Sequence, residues 1–295
     1  MTPKQKRRFY GLTVISALIA LVIRFATVNA VVLPGLTRNV QRQVQAPGKT
    51  DGVYDGVLMK MTDISYTNLT ADVGETLGHL KSVPSAITNE IETVNQLDWH
   101  LSVRDANQKF FSDLNGWKII DVKDAESIYG FYAIAFKKGN TVVIAYRGTD
   151  DLQDVVSDTG IYLQVPGEVE QLSLAKQFEK DVVSVLPVGS YHLIFTGHSI
   201  GGWMSQEMYL FAKQTKSPLW SSVDATVFNS IGTEFQASPQ AMSKVKDYHM
   251  QGDYFSDFGT SLGQEIEVPN PNLTEGIYAR HQMFNFYGYF YPLKL

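Results

Sequence analysis

The chain of 295 residues contains no cysteine. This absence excludes a disulfide framework, a thiol nucleophile and any metal site built on thiolates. The formal net charge is only −5, so the composition gives no basis for a nucleic-acid partner. Internal repeats and low-complexity segments are lacking as well. The length is sufficient for one large domain with a sizeable core.

The N-terminus carries the pattern of an export signal. Basic residues at positions 4–8 precede an apolar run from Gly11 to Ile23, as in a secretory signal peptide. Small residues ending at Ala30 predict cleavage after that position. Without cleavage, residues 11–33 are long enough to span a bilayer, although Arg24 would lie inside it. An amphipathic or buried helix of a cytosolic protein is the third interpretation.

These observations predict a three-part organisation. Residues 1–33 are expected to form a signal peptide or membrane anchor, 34–51 a linker rich in Pro-Gly pairs, and 52–295 a catalytic domain. In either exported case the catalytic domain lies outside the cytoplasm, secreted or membrane-anchored.

Segments with helical and strand periodicity alternate after residue 52. The predicted helices lie at Val57–Ile64, Ile87–Leu101, Leu172–Leu186 and Met204–Ala212. The predicted strands are Trp117–Val122, Gly130–Phe136, Thr141–Tyr146, Tyr191–Thr196, Ala225–Phe228 and Lys246–Met250. This alternation predicts an α/β fold in which a mostly parallel central sheet has helices on both faces.

Residues 197–202 read Gly-His-Ser-Ile-Gly-Gly and match the G-x-S-x-G pattern of a nucleophile elbow, a sharp turn from a strand to a helix. An apolar strand precedes the pattern and apolar residues at helical spacing follow it. Gly197 and Gly201 keep side chains out of the crowded turn. A glycine-rich turn that contains a serine by chance is the alternative. The context favours the elbow and predicts Ser199 as the nucleophile of an acyl transfer.

A serine hydroxyl needs a base to take its proton and a carboxylate to orient that base. After an elbow, the chain order is serine, then acid, then histidine. His249 lies in a predicted strand and precedes the best acid candidate, whereas His281 follows a loop rich in Pro and Asn. We therefore predict His281 as the base. Asp253 follows the last predicted strand and is the predicted acid, with Asp257 as the open alternative.

An oxyanion hole needs two donors directed at the developing negative charge. The backbone N–H of Ile200, next to the serine, is the first predicted donor. The second must come from an earlier loop at a strand end. The strand Thr141–Tyr146 runs into Arg-Gly-Thr at 147–149, and for Arg147 we favour a structural ion pair under that loop over a catalytic role.

These segments together resemble a known family. Tyr146–Thr149, Asp154–Asp158, the elbow, and Phe228–Gly232 are similar to segments of the class 3 lipases and of their bacterial relatives of the Mbeg1-like kind. The resemblance implies an α/β-hydrolase fold and esterase or lipase activity. It makes Thr149 the second oxyanion residue, and it supports the triad Ser199, Asp253 and His281. The chain departs from the family at Val155-Val156, where an aromatic residue is usual.

Two apolar segments bear on the substrate. Residues 158–167 follow the oxyanion loop and form either a mobile lid or an ordinary loop with apolar side chains packed inward. The aromatic C-terminus from Phe284 to Tyr291 either docks on a membrane or belongs to the core, and we favour the core.

A lipid or other carboxylic ester is the expected substrate, with possible membrane-surface association. A peptidase, a cell-envelope deacylase or a catalytically inactive lipid-binding module of the same fold are the alternatives. No cofactor, metal or nucleic-acid partner is expected, since Asp253 and Asp257 lack the spacing of a calcium loop. The sequence does not define an oligomeric state.

Overall fold

The computed structural model describes residues 42–148, 166–233, 241, 243–270, 273–274 and 276–293, with the side chains of 166–169 left out. The predicted N-terminal signal or anchor, Thr149 and positions 158–165 of the lid candidate lie outside this range. The last two residues of that candidate, Pro166 and Gly167, form the first turn of a helix. Among the described residues, no helix is both long and apolar enough to cross a membrane.

The described residues include ten strands and eight α-helices. The strands are β1 (Gln43–Val44), β2 (Lys49–Thr50), β3 (Val53–Tyr54), β4 (Lys118–Ala125), β5 (Phe131–Lys138), β6 (Thr141–Tyr146), β7 (Tyr191–His198), β8 (Trp220–Phe228), β9 (Val245–Met250) and β10 (Gln264–Val268). The helices are α1 (Asp55–Ile64), α2 (Ser85–Val94), α3 (Val103–Phe111), α4 (Glu126–Tyr129), α5 (Pro166–Val185), α6 (Ile200–Thr215), α7 (Ile277–His281) and α8 (Tyr287–Phe290).

Eight strands form one sheet in the order β1-β10-β9-β8-β7-β6-β5-β4. The pairs from β1 to β6 along this order are parallel, and the pairs β6/β5 and β5/β4 are antiparallel. The carboxyl ends of β6, β7, β8 and β9 therefore meet at one edge of the sheet. In open α/β sheets this edge is where ligands bind.

Alternate residues of the strands point to two separate cores, as the pleat requires. On β6, Val143 packs in a core with residues of α1, α2, α3 and α8, while Val142 and Ile144 pack in a second core with residues of α5 and α6. Helices thus cover both faces, which confirms the predicted fold class. The C-terminal aromatics Phe286 and Phe290 are buried in the first core, as we favoured.

The predicted strands are all present, and β6 has the predicted bounds. Two strands of the sheet were missed. β10 is short and charged, and β1 lies within the segment 34–51 that was predicted as a linker. The helix predicted over Ile87–Leu101 is also shorter than expected. It ends at Val94, and a single π-helical turn, Asn95–Trp99, follows it.

Candidate active site

Ser199 lies at a sharp turn between β7 and α6. Its backbone angles are φ 57° and ψ −127°, a sparsely populated region for a residue with a side chain, and it is fully buried. Its N–H donates to the carbonyl of Phe228 at the end of β8 (3.2 Å). The strained backbone and its burial between neighbouring strand ends are the geometry expected of a nucleophile elbow.

Glycines make this turn possible. A Cβ at Gly201 would overlap the backbone carbonyl of Tyr146, and a Cβ at Gly197 would overlap the backbone of Gly201. Gly148 also lies against the elbow, since a Cβ there would be 2.7 Å from the carbonyl oxygen of His198 and 3.2 Å from the Cβ of Ser199. Gly148, which follows β6, therefore packs closely against the turn that carries Ser199.

The structure brings together the predicted acid and base. The Nδ1 of His281 lies 2.9 Å and 3.0 Å from the two carboxylate oxygens of Asp253. Those oxygens also accept from the backbone N–H groups of Phe255 (3.3 Å) and Ser256 (3.2 Å). Burial acts to raise the pKa of Asp253, but the electrostatic interaction with His281 and the hydrogen bonds from His281 and Ser256 outweigh it, so the pKa is lowered.

This pairing fixes the tautomer of the base. An ionised carboxylate only accepts hydrogen bonds, so Nδ1 of His281 carries the proton and Nε2 of the neutral ring carries a free lone pair. The alternative acid, Asp257, instead forms an ion pair with Arg42 (2.9 Å). Of the two candidates, only Asp253 is in contact with His281 in this structure.

One atom of the predicted nucleophile and one of the predicted base are buried without a hydrogen-bond partner. Ser199 Oγ and His281 Nε2 have no hydrogen-bond partner among the described residues, and they do not bond to each other. The ring of His281 lies 4.4 Å from the ring of His198, the residue before the serine. In unliganded enzymes the bond between nucleophile and base is often long and shortens only when substrate binds.

His198 is a part of the site that the sequence reasoning did not assign. Its Nε2 donates to the carbonyl of His281 (2.8 Å), so Nδ1 accepts from the hydroxyl of Tyr66 (2.7 Å). Desolvation by burial, followed by the charge of His281, lowers the pKa of His198 to about 3, so the ring is neutral. Its position within the elbow motif was the only signal in the sequence.

The residues predicted around the oxyanion differ in how far the structure describes them. Ile200 is the first residue of α6, where N–H groups lack an intrahelical acceptor, so its N–H is available to a ligand. Thr149 is outside the described residues. Arg147 forms the expected ion pair, with its Nη2 2.6 Å from Oε1 of Glu126. No group of three potential metal ligands occurs in the described part of the chain.

A mostly parallel sheet thus carries a serine elbow after a central strand, then an aspartate on the loop after β9 and a histidine at the end of α7. The chain has the α/β-hydrolase fold.

No protein-family model matches the chain, and no curated protein matches it. Solved structures of fungal lipases are similar to it. A fungal lipase covers 75% of this chain and 81% of its own length, with 13% identity and a TM-score of 0.47. The Lip2 lipase of Yarrowia lipolytica covers 78% and 83%, with 12% identity and a TM-score of 0.44. Lipase II of Rhizopus niveus covers 59% and 75%, with 14% identity and a TM-score of 0.38. Likenesses this distant carry no argument about the reaction, which must come from the site itself.

Proposed function

We propose that the protein is a serine hydrolase that cleaves carboxylic esters of lipids through an acyl-enzyme on Ser199. One observation carries the proposal. Ser199 Oγ and His281 Nε2 are buried and unpartnered in the described structure, while the other ring nitrogen of His281 is bonded to Asp253. A buried polar atom without a partner costs free energy, and such a cost is typical of a site that awaits a substrate.

The proposed reaction follows from this arrangement. As Ser199 Oγ attacks the acyl carbonyl, His281 Nε2 takes its proton and Asp253 stabilises the imidazolium. The backbone N–H of Ile200 donates to the oxyanion, and Thr149 is proposed as the second donor. The imidazolium then protonates the leaving alcohol. Water attacks the acyl-Ser199 ester with His281 again as base, which releases the acid and restores the serine.

Labelling with a fluorophosphonate probe tests the nucleophile. We expect the wild type to be labelled and Ser199→Ala to be unlabelled. Ser205→Ala is a matched control, because this buried serine lies on α6 but bonds to the carbonyl of Gly201 and is not part of the proposed triad. Equal labelling of Ser199→Ala and the wild type would refute the proposal. An unlabelled wild type that still binds lipid would favour an inactive lipid-binding module.

The lipid part of the proposal rests on the resemblance of the sequence to lipases. Steady-state kinetics with esters of increasing acyl length, and with phospholipids, tests whether lipids are the preferred substrates. We expect kcat/KM to rise with acyl length. Cleavage of amides but not esters would instead indicate a peptidase or a deacylase.

We further propose that the Ser199 domain is exported, on the basis of the N-terminal pattern in residues 1–33. Fractionation of intact cells tests this point. Full-length protein found only in the cytosol would contradict it.

A further inference from the structure

The end of β8 and the segment that follows it bond to both backbone groups of Ser199. The carbonyl of Phe228 accepts from the N–H of Ser199 (3.2 Å), and the N–H of Ile231 donates to the carbonyl of Ser199 (3.4 Å). Asn229 lies between these two residues. Its backbone position relative to Ser199 is therefore fixed by hydrogen bonds in both directions.

The side chain of Asn229 extends from this fixed point to the acid and the base. Its Oδ1 accepts from the backbone N–H of Met250 (2.7 Å), and its Nδ2 donates to the backbone carbonyl of His281 (3.2 Å). The assignment of the amide is unambiguous, because an N–H needs an acceptor and a carbonyl needs a donor. Asn229 is fully buried, so water does not replace either bond.

Both contacts lead directly to the proposed triad. Met250 ends β9, and its carbonyl accepts from the N–H of Asp253 (2.9 Å), which closes the turn that carries the acid. His281 is the base itself. One amide group thus joins the turn of the acid to the backbone of the base, next to the strand end that binds the nucleophile.

The structure imposes three requirements on the residue at position 229. The backbone is left-handed, with φ 41°, the side chain must accept one hydrogen bond, and it must donate another. Asparagine tolerates left-handed backbone better than most residues and provides both groups on one short side chain. Glycine meets only the first requirement, and an ionised aspartate cannot donate.

We propose that Asn229 is the positioning residue that sets the approach of the His281–Asp253 pair to Ser199. It acts through His281 and does not touch the substrate. The inference rests on the proposed function, because it concerns the base of that reaction. Since a displacement of about 1 Å at a reacting group costs about 10²-fold in rate, loss of this amide is expected to lower kcat by about 10²-fold.

Asn229→Gly tests the proposal, because glycine keeps the left-handed backbone and removes only the amide. The matched control is Asn95→Ala. The amide of Asn95 also accepts from one backbone N–H (2.8 Å) and donates to one backbone carbonyl (2.9 Å), but both belong to Leu101 and neither bond leads to the proposed triad. We expect both variants to have a lower Tm. Only Asn229→Gly should lose kcat, with KM unchanged.

A spectroscopic readout separates this inference from the proposed function. The Nδ1–H proton of His281 is expected to resonate far downfield in the NMR spectrum of the wild type, and to be lost or broadened in Asn229→Gly. If the wild type is labelled by fluorophosphonate and folded Asn229→Gly is labelled at the same rate, the inference about Asn229 is wrong and the proposed function stands. A wild type that neither labels nor cleaves esters overturns both.

Asn229→Asp keeps the proposal testable if the glycine variant does not fold. Aspartate still accepts from Met250 but cannot donate to His281 when ionised. Its negative charge also favours the protonated form of the base. We therefore expect a lower kcat and an acid limb of kcat/KM that moves to higher pH. A folded variant with the wild-type kcat and the wild-type acid limb would refute the role of Asn229.

Discussion

The described residues include two buried aspartate–histidine pairs, which differ in how the rest of the molecule supports them. Asp253 lies on a loop and His281 ends α7, and the carboxylate accepts from three donors, the ring Nδ1–H and two backbone N–H groups. Asp247 and His249 lie two residues apart on β9, with 3.1 Å between Oδ2 and Nε2. That second contact lacks hydrogen-bond geometry, and within the described residues neither side chain has a hydrogen-bond partner.

This contrast shows that proximity of an acid and a base is not sufficient for a site. Residues i and i+2 of a strand point to the same face, so Asp247 and His249 meet through the pleat alone. Asp253 and His281 meet because the loop after β9 and the end of α7 are held together by other residues, and Nε2 of His281 has no hydrogen-bond partner among the described residues. Long-range support of the pair is what distinguishes the proposed catalytic pair from the strand pair.

The largest expected difference concerns the two histidines. His281→Ala should lower kcat by about 10⁶-fold, because the serine loses its base. His249→Ala should leave kcat at the wild-type value, since this ring has no role in the proposed reaction. Steady-state kinetics with a short ester measures both. Similar losses in the two variants would show that the pairs have been assigned to the wrong roles.

The next largest difference in kcat is expected between variants of the aspartates. Asp253→Asn is expected to lower kcat by about 10⁴-fold, because the amide can donate to Nδ1 and so favours the wrong tautomer of His281. Asp247→Asn should have little effect on kcat. Because Asp257 bonds to Arg42, Asp257→Asn is a second control. A loss in Asp257→Asn as large as in Asp253→Asn would contradict the assignment of the acid.

His198, whose ring lies next to that of His281, should affect how the stability of the fold depends on pH. The pKa of His198 is about 3 in the folded state, below its ordinary value of 6.5. Between these values the unfolded chain binds a proton that the folded chain does not, so stability rises with pH, by up to about 1.4 kcal/mol per pH unit. This contribution is complete above pH 6.5 and is lost as the pH falls towards 3.

His198→Gln should therefore flatten the dependence of the unfolding free energy on pH between about pH 4 and 6. Urea unfolding at several pH values measures the slope. The His249→Gln variant gives the corresponding slope for the strand pair. An unchanged slope in His198→Gln would mean that this ring is protonated in the folded state.

The smallest effect is expected from replacement of the strand pair. When two buried ionisable groups lack good hydrogen bonds, their attraction does not compensate for the free energy lost on desolvation. Apolar replacement of such a pair is therefore often neutral or stabilising. The double variant Asp247→Leu, His249→Met should change the unfolding free energy by about 0 to +2 kcal/mol and leave kcat unchanged. A strongly destabilised double variant would show that the pair supports the fold.

The sequence allowed prediction of those features that depend on neighbouring residues. The elbow needs glycines and a serine within five positions, and the order of acid and base follows from the fold. These rules were sufficient to select Asp253 and His281, which the structure places in contact. The strand β6 was predicted with its correct bounds because it is a continuous apolar run between polar turns.

The features that were missed depend on partners distant in sequence. Asn229 is a single polar residue after a strand, and its bond to His281 spans 52 positions. His198 bonds to the same residue across 83 positions. β10 has little apolar character because it lies near the sheet edge. No local pattern encodes such contacts, since they arise only when the strand ends are brought to one edge.

The two-residue strand β1 has a consequence for the stability of the assembled sheet. It pairs with Ile266 and Glu267 of β10, and the adjacent Arg42 forms ion pairs with Glu265 and Asp257. Without residues 42–44, the N–H and C=O groups along β10 would be open to another strand, which is the usual route to edge-to-edge aggregation. Proteolytic loss of this segment would thus leave β10 as an unprotected edge strand, and it would also remove the contacts of Arg42 with the turn that carries the predicted acid.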